Sequence, residues 1–544
     1  MSQLYVWGYN GEYEQIITQC TRYLELHRNI NDSPGPICMS IVSDYSTAMT
    51  RPNVLFLVMD TARAQSVLPS ENPGVMPNLE SFQEEATTFS DAITSAPWTL
   101  PSHASMFTGQ YTTDHGTNAG SLIFEPDVKP LAEQLCQSGY ETMAISNNSW
   151  ISPEFGFDAG FDHFYGGWEL LRGGVDLQEV VRENSSRIQQ FKEIVDKLTI
   201  NNLHKTILNT AYAWGYHRRY DYGAKFTNYR IKRLLSKTWD RSQPFFMFVN
   251  YLEPHLTYDP PKPYRWKYIP DDLSREQLES VDQEPWEYLA GNVDMAEDDF
   301  RALEALYEGE LNYLDYRLGQ LFDFLRSEDI FDETLVFVVG DHGENIGDHG
   351  LMDHQYCLND TLLRVPLIIR HPELVPSGWK TDALVELRDL YPTILNLCDV
   401  NTSFDESVSS FSLGEEGYID DTTVGDREFV FAEYVVPQPD LDELRLRTDN
   451  EEALAFLDSL DQSLQCLRTE DWKYIRSHDG SAELFDLNSD PGETNNIVDN
   501  HSELITDFEE RLDTEFDSFE RSSRARLEGI GGGTRDRLED LGYI

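Results

Sequence analysis

The chain has 544 residues, with 42 Lys+Arg against 96 Asp+Glu, for a formal net charge of −54. With 40% hydrophobic and 12% aromatic residues it can build a sizeable core, which excludes wholesale disorder. The acidity excludes a general nucleic-acid binder, because its mean field repels phosphate backbones.

The acidic residues are spread along the whole chain, which predicts a surface adapted to high salt and a halophilic source. Cys20, Cys38, Cys136, Cys357, Cys398 and Cys466 are scattered without a CxxC pair, as suits a reducing compartment. The first residues have no basic start and no long apolar run, and no stretch reaches about 18 uninterrupted apolar residues. Neither a signal peptide nor a membrane span is predicted, and a cytoplasmic location is expected.

Residues 1–50 read as an N-terminal extension, with a short helix near 13–26. From residue 51 short apolar runs alternate with helical stretches. NVLFLVM at Asn53–Met59, TMAIS at 142–146, FFMFVN at 245–250 and LVFVVG at 335–340 are runs of the kind buried in parallel sheets. Helices are predicted over 101–108 and 302–326. The alternation predicts an α/β fold over 51–424, a large mixed or parallel sheet sandwiched by helices.

A helical insertion is placed at 166–240. It holds a basic cluster of His217, Arg218, Arg219, Lys225, Arg230, Lys232, Arg233 and Lys237, for which intramolecular pairing is the expected use. Over 425–500 the pattern predicts a small antiparallel C-terminal α+β domain, with a strand at 429–436 and a hairpin across Asp479-Gly480. Residues 501–544 read as a closing helix, a flexible glycine stretch at 531–533 and a charged tail.

The chemistry is expected outside the carboxyl ends of the strands. The apolar runs lead into Asp60, into Asn147, into Glu253 and His255, and into Asp341 and His342. A single Asp at a strand end is commonly a helix cap. Two such carboxylates and a histidine on separate strands point instead to a divalent metal. In residues 98–109 (WTLPSHASMFTG), Thr99 stands at a helix N-terminus, where free N–H groups favour an anion and a nearby metal would lower the hydroxyl's pKa. A simple capping role for Thr99 or Ser102 is the alternative. The loop 340–350 (GDHGENIGDHG), followed by Asp353 and His354, gathers Asp and His residues that a metal or anion would compensate; a solvated loop is the alternative. His115 is either a pocket residue or structural, and the aromatic residues of 251–267 either line a cleft or pack their loop.

In this order the pieces resemble the sulfatase family, within the alkaline-phosphatase-like superfamily. The matching segments are 51–63 (RPNVLFLVMDTAR), 99–109, 340–350 with RVPLII at 364–369, DLYPT at 389–393, and 472–496 with ELFDL and DPGET. They span roughly residues 51–500. The resemblance implies one divalent cation, Ca²⁺ by family habit with Mg²⁺ or Mn²⁺ as alternatives, on Asp60, Asp341, His342 and the nucleophile Thr99. It also implies that His255, in a Pro-His motif, contacts the substrate oxyanion. His354 stands where the family has a lysine.

Four positions depart from the family pattern. Thr99 replaces the Cys or Ser that becomes formylglycine, so no formylglycine is expected. His103 replaces an arginine, Thr61 a second Asp, and Asn147-Asn148-Ser149 a Lys-x-His pair. A formylglycine hydrate sheds sulfate by breaking its own C–O bond, an exit that a sulfated threonine lacks. A phosphorylated threonine can be released by in-line attack at phosphorus. The expected substrate is therefore a small anionic sulfuric or phosphoric ester, with His103, His255, His354 and Asn147 neutralising charge or protonating the leaving group. The alternatives are a phosphodiesterase or phosphoglycerol-type transferase that forms phospho-Thr, and a catalytically silent binding protein.

Overall fold

Strand β1 (Asn53–Met59) is buried at all seven positions because both of its faces are covered. Val54, Phe56 and Val58 enter one hydrophobic cluster, while Leu55, Leu57 and Met59 enter the other. The computed structural model describes residues 51–167, 223–400, 427–516 and 532–540. The expectations for residues 1–50, for His217, Arg218 and Arg219, and for most of the 166–240 insertion lie outside the described residues.

The other strands of the central sheet are β2 (Thr87–Ile93), β3 (Glu141–Ser146), β4 (His163–Gly166), β5 (Phe245–Tyr251), β6 (Thr334–Gly340), β9 (Arg364–Arg370), β10 (Trp379–Thr381) and β11 (Val385–Glu386). Strands β7 (Asn345–Ile346) and β8 (Met352–Asp353) form a separate ribbon. The sheet runs in the order β10-β2-β9-β6-β1-β5-β3-β4, with β11 also beside β2. Strand β9 pairs antiparallel with β6 and β2, and the other pairings are parallel. Strands β6, β1, β5 and β3 are thus neighbours running the same way, with their carboxyl ends side by side.

Helices cover both faces. On one side α1 (Thr99–Thr108), buried at all ten positions, packs with α4 (Leu390–Leu397). On the other, α3 (Glu297–Ser327) lays Leu303, Leu306, Leu311, Leu314 and Leu318 against the sheet beside Ile231, Leu234 and Leu235 of α2 (Ala224–Lys237). Helix α2, counted as insertion in the sequence reading, is therefore an integral covering helix. Two of its basic residues are engaged internally. Arg230 Nη1 donates to the Gly166 carbonyl at 2.6 Å and its guanidinium stacks on Phe226, while Lys232 lies over Phe324.

A second, antiparallel sheet runs β12 (Val430–Tyr434), β13 (Leu464–Arg468), β14 (Trp472–Ser477), β15 (Ala482–Asp486). The predicted hairpin joins β14 and β15, with Gly480 at φ 90° supplying the left-handed turn residue. Alternation gives this sheet two faces. Val430, Ala432, Cys466 and Ile475 join the main core, while Phe431, Leu467, Tyr474 and Leu484 pack against Phe508 and Leu512 of α5 (Ser502–Glu515). Of the expected glycine stretch, Gly532 and Gly533 open helix α6 (Gly532–Asp540), while Gly531 lies outside the described residues. Burial of Leu538 in the main core outweighs the poor helix propensity of Gly532 and Gly533.

Candidate active site and metal centre

Four adjacent parallel strands deliver polar side chains to one place. Strand β1 is followed by Asp60, β6 by Asp341 and His342, β3 by Asn147 and Asn148, and Asn250 lies near the end of β5. Asp60, Asn148, Asn250, Asp341 and His342 are all fully buried.

Asp60 Oδ2 accepts hydrogen bonds from Asn148 Nδ2 at 2.9 Å and Asn250 Nδ2 at 3.3 Å, and its Oδ1 has no hydrogen-bond partner. Asp341 Oδ1 accepts from the backbone N–H groups of Thr61 at 3.1 Å and His342 at 2.9 Å, and its Oδ2 has none. Thr61 sits at φ 59°, an uncommon conformation for a β-branched residue, and from there its N–H reaches Asp341. Burial raises Asp60 to about 6. Burial, followed by the charge of Asp60, lifts Asp341 well above the usual carboxylate range.

His342 Nδ1 lies 2.9 Å from the Gly343 carbonyl, which places the ring proton there. Burial holds the imidazole well below its ordinary range, so Nε2 presents a lone pair. A Cβ at Gly343 would stand 1.9 Å from the Thr361 carbonyl oxygen, so only glycine allows this close turn. Asp60, Asp341 and His342 present ligand atoms within 4.8 Å of one another. Two buried carboxylate oxygens without donors, beside a bare imidazole nitrogen, are expensive unless a cation satisfies them. The oxygen and nitrogen donors suit a hard-to-borderline divalent ion, so these residues fit one.

Thr99 opens α1, whose N-cap position, Trp98, makes no side-chain capping bond. The Thr99 hydroxyl lies 3.1 Å from His342 Nε2 and accepts from Asn148 Nδ2 at 3.3 Å. Ser102 does not cap the helix either. It donates to the Asp341 backbone carbonyl at 2.7 Å and is held by Thr94 at 3.0 Å. His103 Nδ1 is 2.9 Å from the Thr99 carbonyl and Nε2 is 3.2 Å from Asn250 Nδ2, a pairing that puts the proton on Nδ1. Burial lowers His103 to about 4, so the residue in the arginine position carries no charge near neutral pH.

His255 and His354 stand beside this group, their ring centroids 5.0 Å apart, and the His354 ring is 4.6 Å from that of His342. Burial, then the charge of His354, lowers His255 to about 3. His354 Nδ1 lies 2.5 Å from Asp353 Oδ1 and 3.4 Å from Glu344 Oε1. Burial works against a charge on His354, but these two carboxylates outweigh it and hold the imidazolium well above its usual range.

The structure therefore brings together Asp60, Thr99, His103, Asp341 and His342, with His255 and His354 alongside. Asn147 is turned elsewhere: its Nδ2 donates to Thr227 Oγ1 of α2 at 3.0 Å, and the next residue, Asn148, reaches Asp60 and Thr99. Glu253 Oε1 accepts from the Ala224 N–H at the start of α2. His115 is buried between Ser105 Oγ and the Thr117 N–H, a structural position. Tyr251 and Tyr258 pack in the core. Asn250, Asn148 and Glu344 have no site role assigned from the sequence, whereas Asp353 is named there with His354 among the ligand-type residues of the loop. Asn250 carried a signal, as the one polar residue at the end of an otherwise apolar run.

Among the described residues, no helix is long and apolar enough to cross a membrane. A family model described as Sulfatase matches residues 52–400. Among curated relatives, the uncharacterized sulfatase YidJ of Escherichia coli is 24% identical over 502 residues, covering 88% of this chain and 90% of its own length. An arylsulfatase of Clostridium perfringens is 24% identical over 490 residues, covering 85% of this chain and 92% of its own. Among solved structures, a phosphonate monoester hydrolase of Agrobacterium radiobacter superposes with a TM-score of 0.63 at 19% identity, over 86% of this chain and 95% of that one.

Proposed function

Because the chain belongs to the sulfatase family, whose members here include ester hydrolases, we propose that it is a metal-dependent hydrolase of anionic esters with unmodified Thr99 as nucleophile, and that phosphoric esters are its better substrates. The observation that carries this reading is the placement of the Thr99 hydroxyl at a helix N-terminus, 3.1 Å from His342 Nε2 and next to the unpartnered oxygens of Asp60 and Asp341. A divalent cation held by Asp60, Asp341 and His342 would supply Lewis-acid stabilisation of the threonine alkoxide and of the ester's anionic oxygens.

The chain's own residues account for the rest. Asn148 donates to both Asp60 and Thr99 and so fixes the nucleophile relative to the carboxylate. Thr99 Oγ1, its hydroxyl proton released to solvent, attacks phosphorus, forming the new O–P bond as the ester P–O bond breaks. The imidazolium of His354 is the proton source for the departing alkoxide. Water then displaces phosphate from Thr99 in line. The same first step at sulfur would leave a sulfated threonine with no internal route of release. The curated relatives are named as sulfatases and the structural neighbour as a phosphonate hydrolase, which fits one scaffold serving either element.

The test compares aryl sulfate, aryl phosphate and bis-aryl phosphate in molar KCl, each with Ca²⁺, Mg²⁺ or Mn²⁺, with Thr99→Ala as control. Phosphorus-ester turnover is expected to exceed sulfate release and to fall by on the order of 10³-fold or more in Thr99→Ala. Turnover unchanged in Thr99→Ala, or Thr99-dependent sulfate release as the faster reaction, would overturn the reading.

A further inference from the structure

The C-terminal segment 472–496, with its ELFDL and DPGET stretches, plays no part in the proposed chemistry, yet it grips the loop that carries the site. The two meet at a single helical turn, Asp360–Leu363. Three consecutive carbonyls of that turn bind site-bearing backbone. Thr361 takes the Glu344 N–H at 3.1 Å, Leu362 the Gly343 N–H at 2.8 Å, and Leu363 the Thr94 N–H at 2.8 Å. The Gly343 carbonyl in turn fixes the His342 ring, while Thr94 holds Ser102, which donates to the Asp341 carbonyl. Asp341 and His342 are thus seated against this turn, and a shift of the turn moves both.

The turn has no capping bond from its own N-cap side chain, Asn359. The groups that fix it come from the small sheet. Arg468 of β13 and Lys473 of β14 are paired across the strands, on the face that carries Cys466 and Ile475 into the main core. Lys473 Nζ lies 2.6 Å from Asp360 Oδ1, and Arg468 Nε lies 3.0 Å from Asp360 Oδ2. Glu493 completes the clamp, its Oε2 accepting the Asp360 N–H at 2.7 Å and its Oε1 2.8 Å from Lys473 Nζ. Asp490 shapes the DPGET turn by accepting the Thr494 and Asn495 N–H groups at 2.9 and 2.8 Å, and Glu493 adopts φ 51° within it. Lys473 is fully buried and Glu493 is 3% exposed. Satisfied buried networks of this kind rigidify the groups they join.

We infer that Lys473 and Glu493 are positioning residues for the metal centre, setting Asp341 and His342 through the Asp360–Leu363 turn. The inference rests on the reading of Asp60, Asp341 and His342 as the metal site.

The test titrates chelator-stripped, full-length protein with Mn²⁺ by calorimetry in molar KCl, and measures kcat and KM for aryl phosphate. Lys473→Met and Glu493→Gln should each weaken Mn²⁺ binding and lower kcat by about 10–100-fold, with KM little changed. Arg476→Met is the control. Arg476 lies on the same strand but on the opposite face, where it pairs with Glu509 and Asp513 of α5. Its loss should lower the thermal midpoint and leave Mn²⁺ affinity and kcat at the wild-type level. Circular dichroism shows which variants fold, and Glu493→Gln alone decides if Lys473→Met does not. Wild-type Mn²⁺ affinity and kcat in folded Glu493→Gln would overturn the inference and leave the proposed function standing. Arg476→Met weakening Mn²⁺ as much as the other two would also overturn it, because the loss would then follow stability rather than position. Mn²⁺ held tightly by wild type and weakly by both variants, without ester turnover, would sink the proposed function and keep this inference. A wild type that binds no Mn²⁺ would sink the metal site and this inference with it.

Discussion

Asn148 and Asn147 are neighbours in the chain with opposite uses. Asn148 accepts the Trp150 N–H at its Oδ1, a local turn that aims its Nδ2 at Asp60 and Thr99, whereas Asn147 points to Thr227. Removing this donor leaves Asp60 Oδ2 with the longer hydrogen bond from Asn250 at 3.3 Å. Outer-shell changes of this kind cost about 10–100-fold in metal affinity or activity. Asn148→Ala is therefore expected to weaken Mn²⁺ binding and kcat by about that factor, while Asn147→Ala leaves Mn²⁺ affinity unchanged. Calorimetric titration of the two variants decides it, and equal effects would refute the distinction. The same pair shows why the site was only partly legible in the sequence. Strand ends and the paired Asp60 and Asp341-His342 follow from apolar runs that stop at polar residues. Which of two successive asparagines faces inward is set by an Asx turn that no hydrophobic period records.

At the scale of elements, the four strands that carry the site were the readable ones, because strands covered on both faces appear as unbroken apolar runs. Strand β2 reads TTFSDAI with half-buried Ser90 and Asp91 in its middle, and β7 and β8 are two residues each, so neither kind carries a period to detect. Strand β12 shows how the small sheet is joined to the segments that flank α1. The Glu433 N–H donates to the Ser95 carbonyl, and its carboxylate takes the Thr113 N–H at 2.6 Å and the Thr113 hydroxyl. Burial raises this carboxyl from 4.5 to about 7, with Thr113 opposing the shift only in part. Because the folded pKa is the higher one, the contribution to stability is fully present below about 4.5 and is lost as pH rises through about 7. Glu433→Gln keeps an acceptor for Thr113 and removes the charge. Its stability relative to wild type is expected to rise between pH 5 and pH 8, by up to about 3 kcal/mol. Denaturant unfolding of both proteins at the two pH values measures this, and a difference independent of pH would refute it.

For the whole molecule, the charge of −54 is the dominant long-range term. The interior meets it with paired cations: Lys473, fully buried, holds Asp360 at 2.6 Å and Glu493 at 2.8 Å, and Arg427 and Arg388 hold Glu386. These pairs bury cations and carboxylates together and so leave the chain's large acidic excess uncompensated. Repulsion among exposed charges acts over a Debye length of about 10 Å at 0.1 M salt and about 3 Å at 1 M, so concentrated salt confines it to near neighbours. The buried pairs lie in a low dielectric and are screened far less. Raising KCl from 0.1 M to 2 M should therefore relieve the surface without weakening the core, and the thermal midpoint is expected to rise steadily by several degrees. An anionic ester approaching the site meets the same surface field, so its KM should fall as KCl rises with the metal saturating. Thermal scans and initial rates across a KCl series separate the two effects. A midpoint that rises while KM stays flat would confine the role of salt to the surface, whereas a flat midpoint would mean that the surface charges are already compensated by their neighbours.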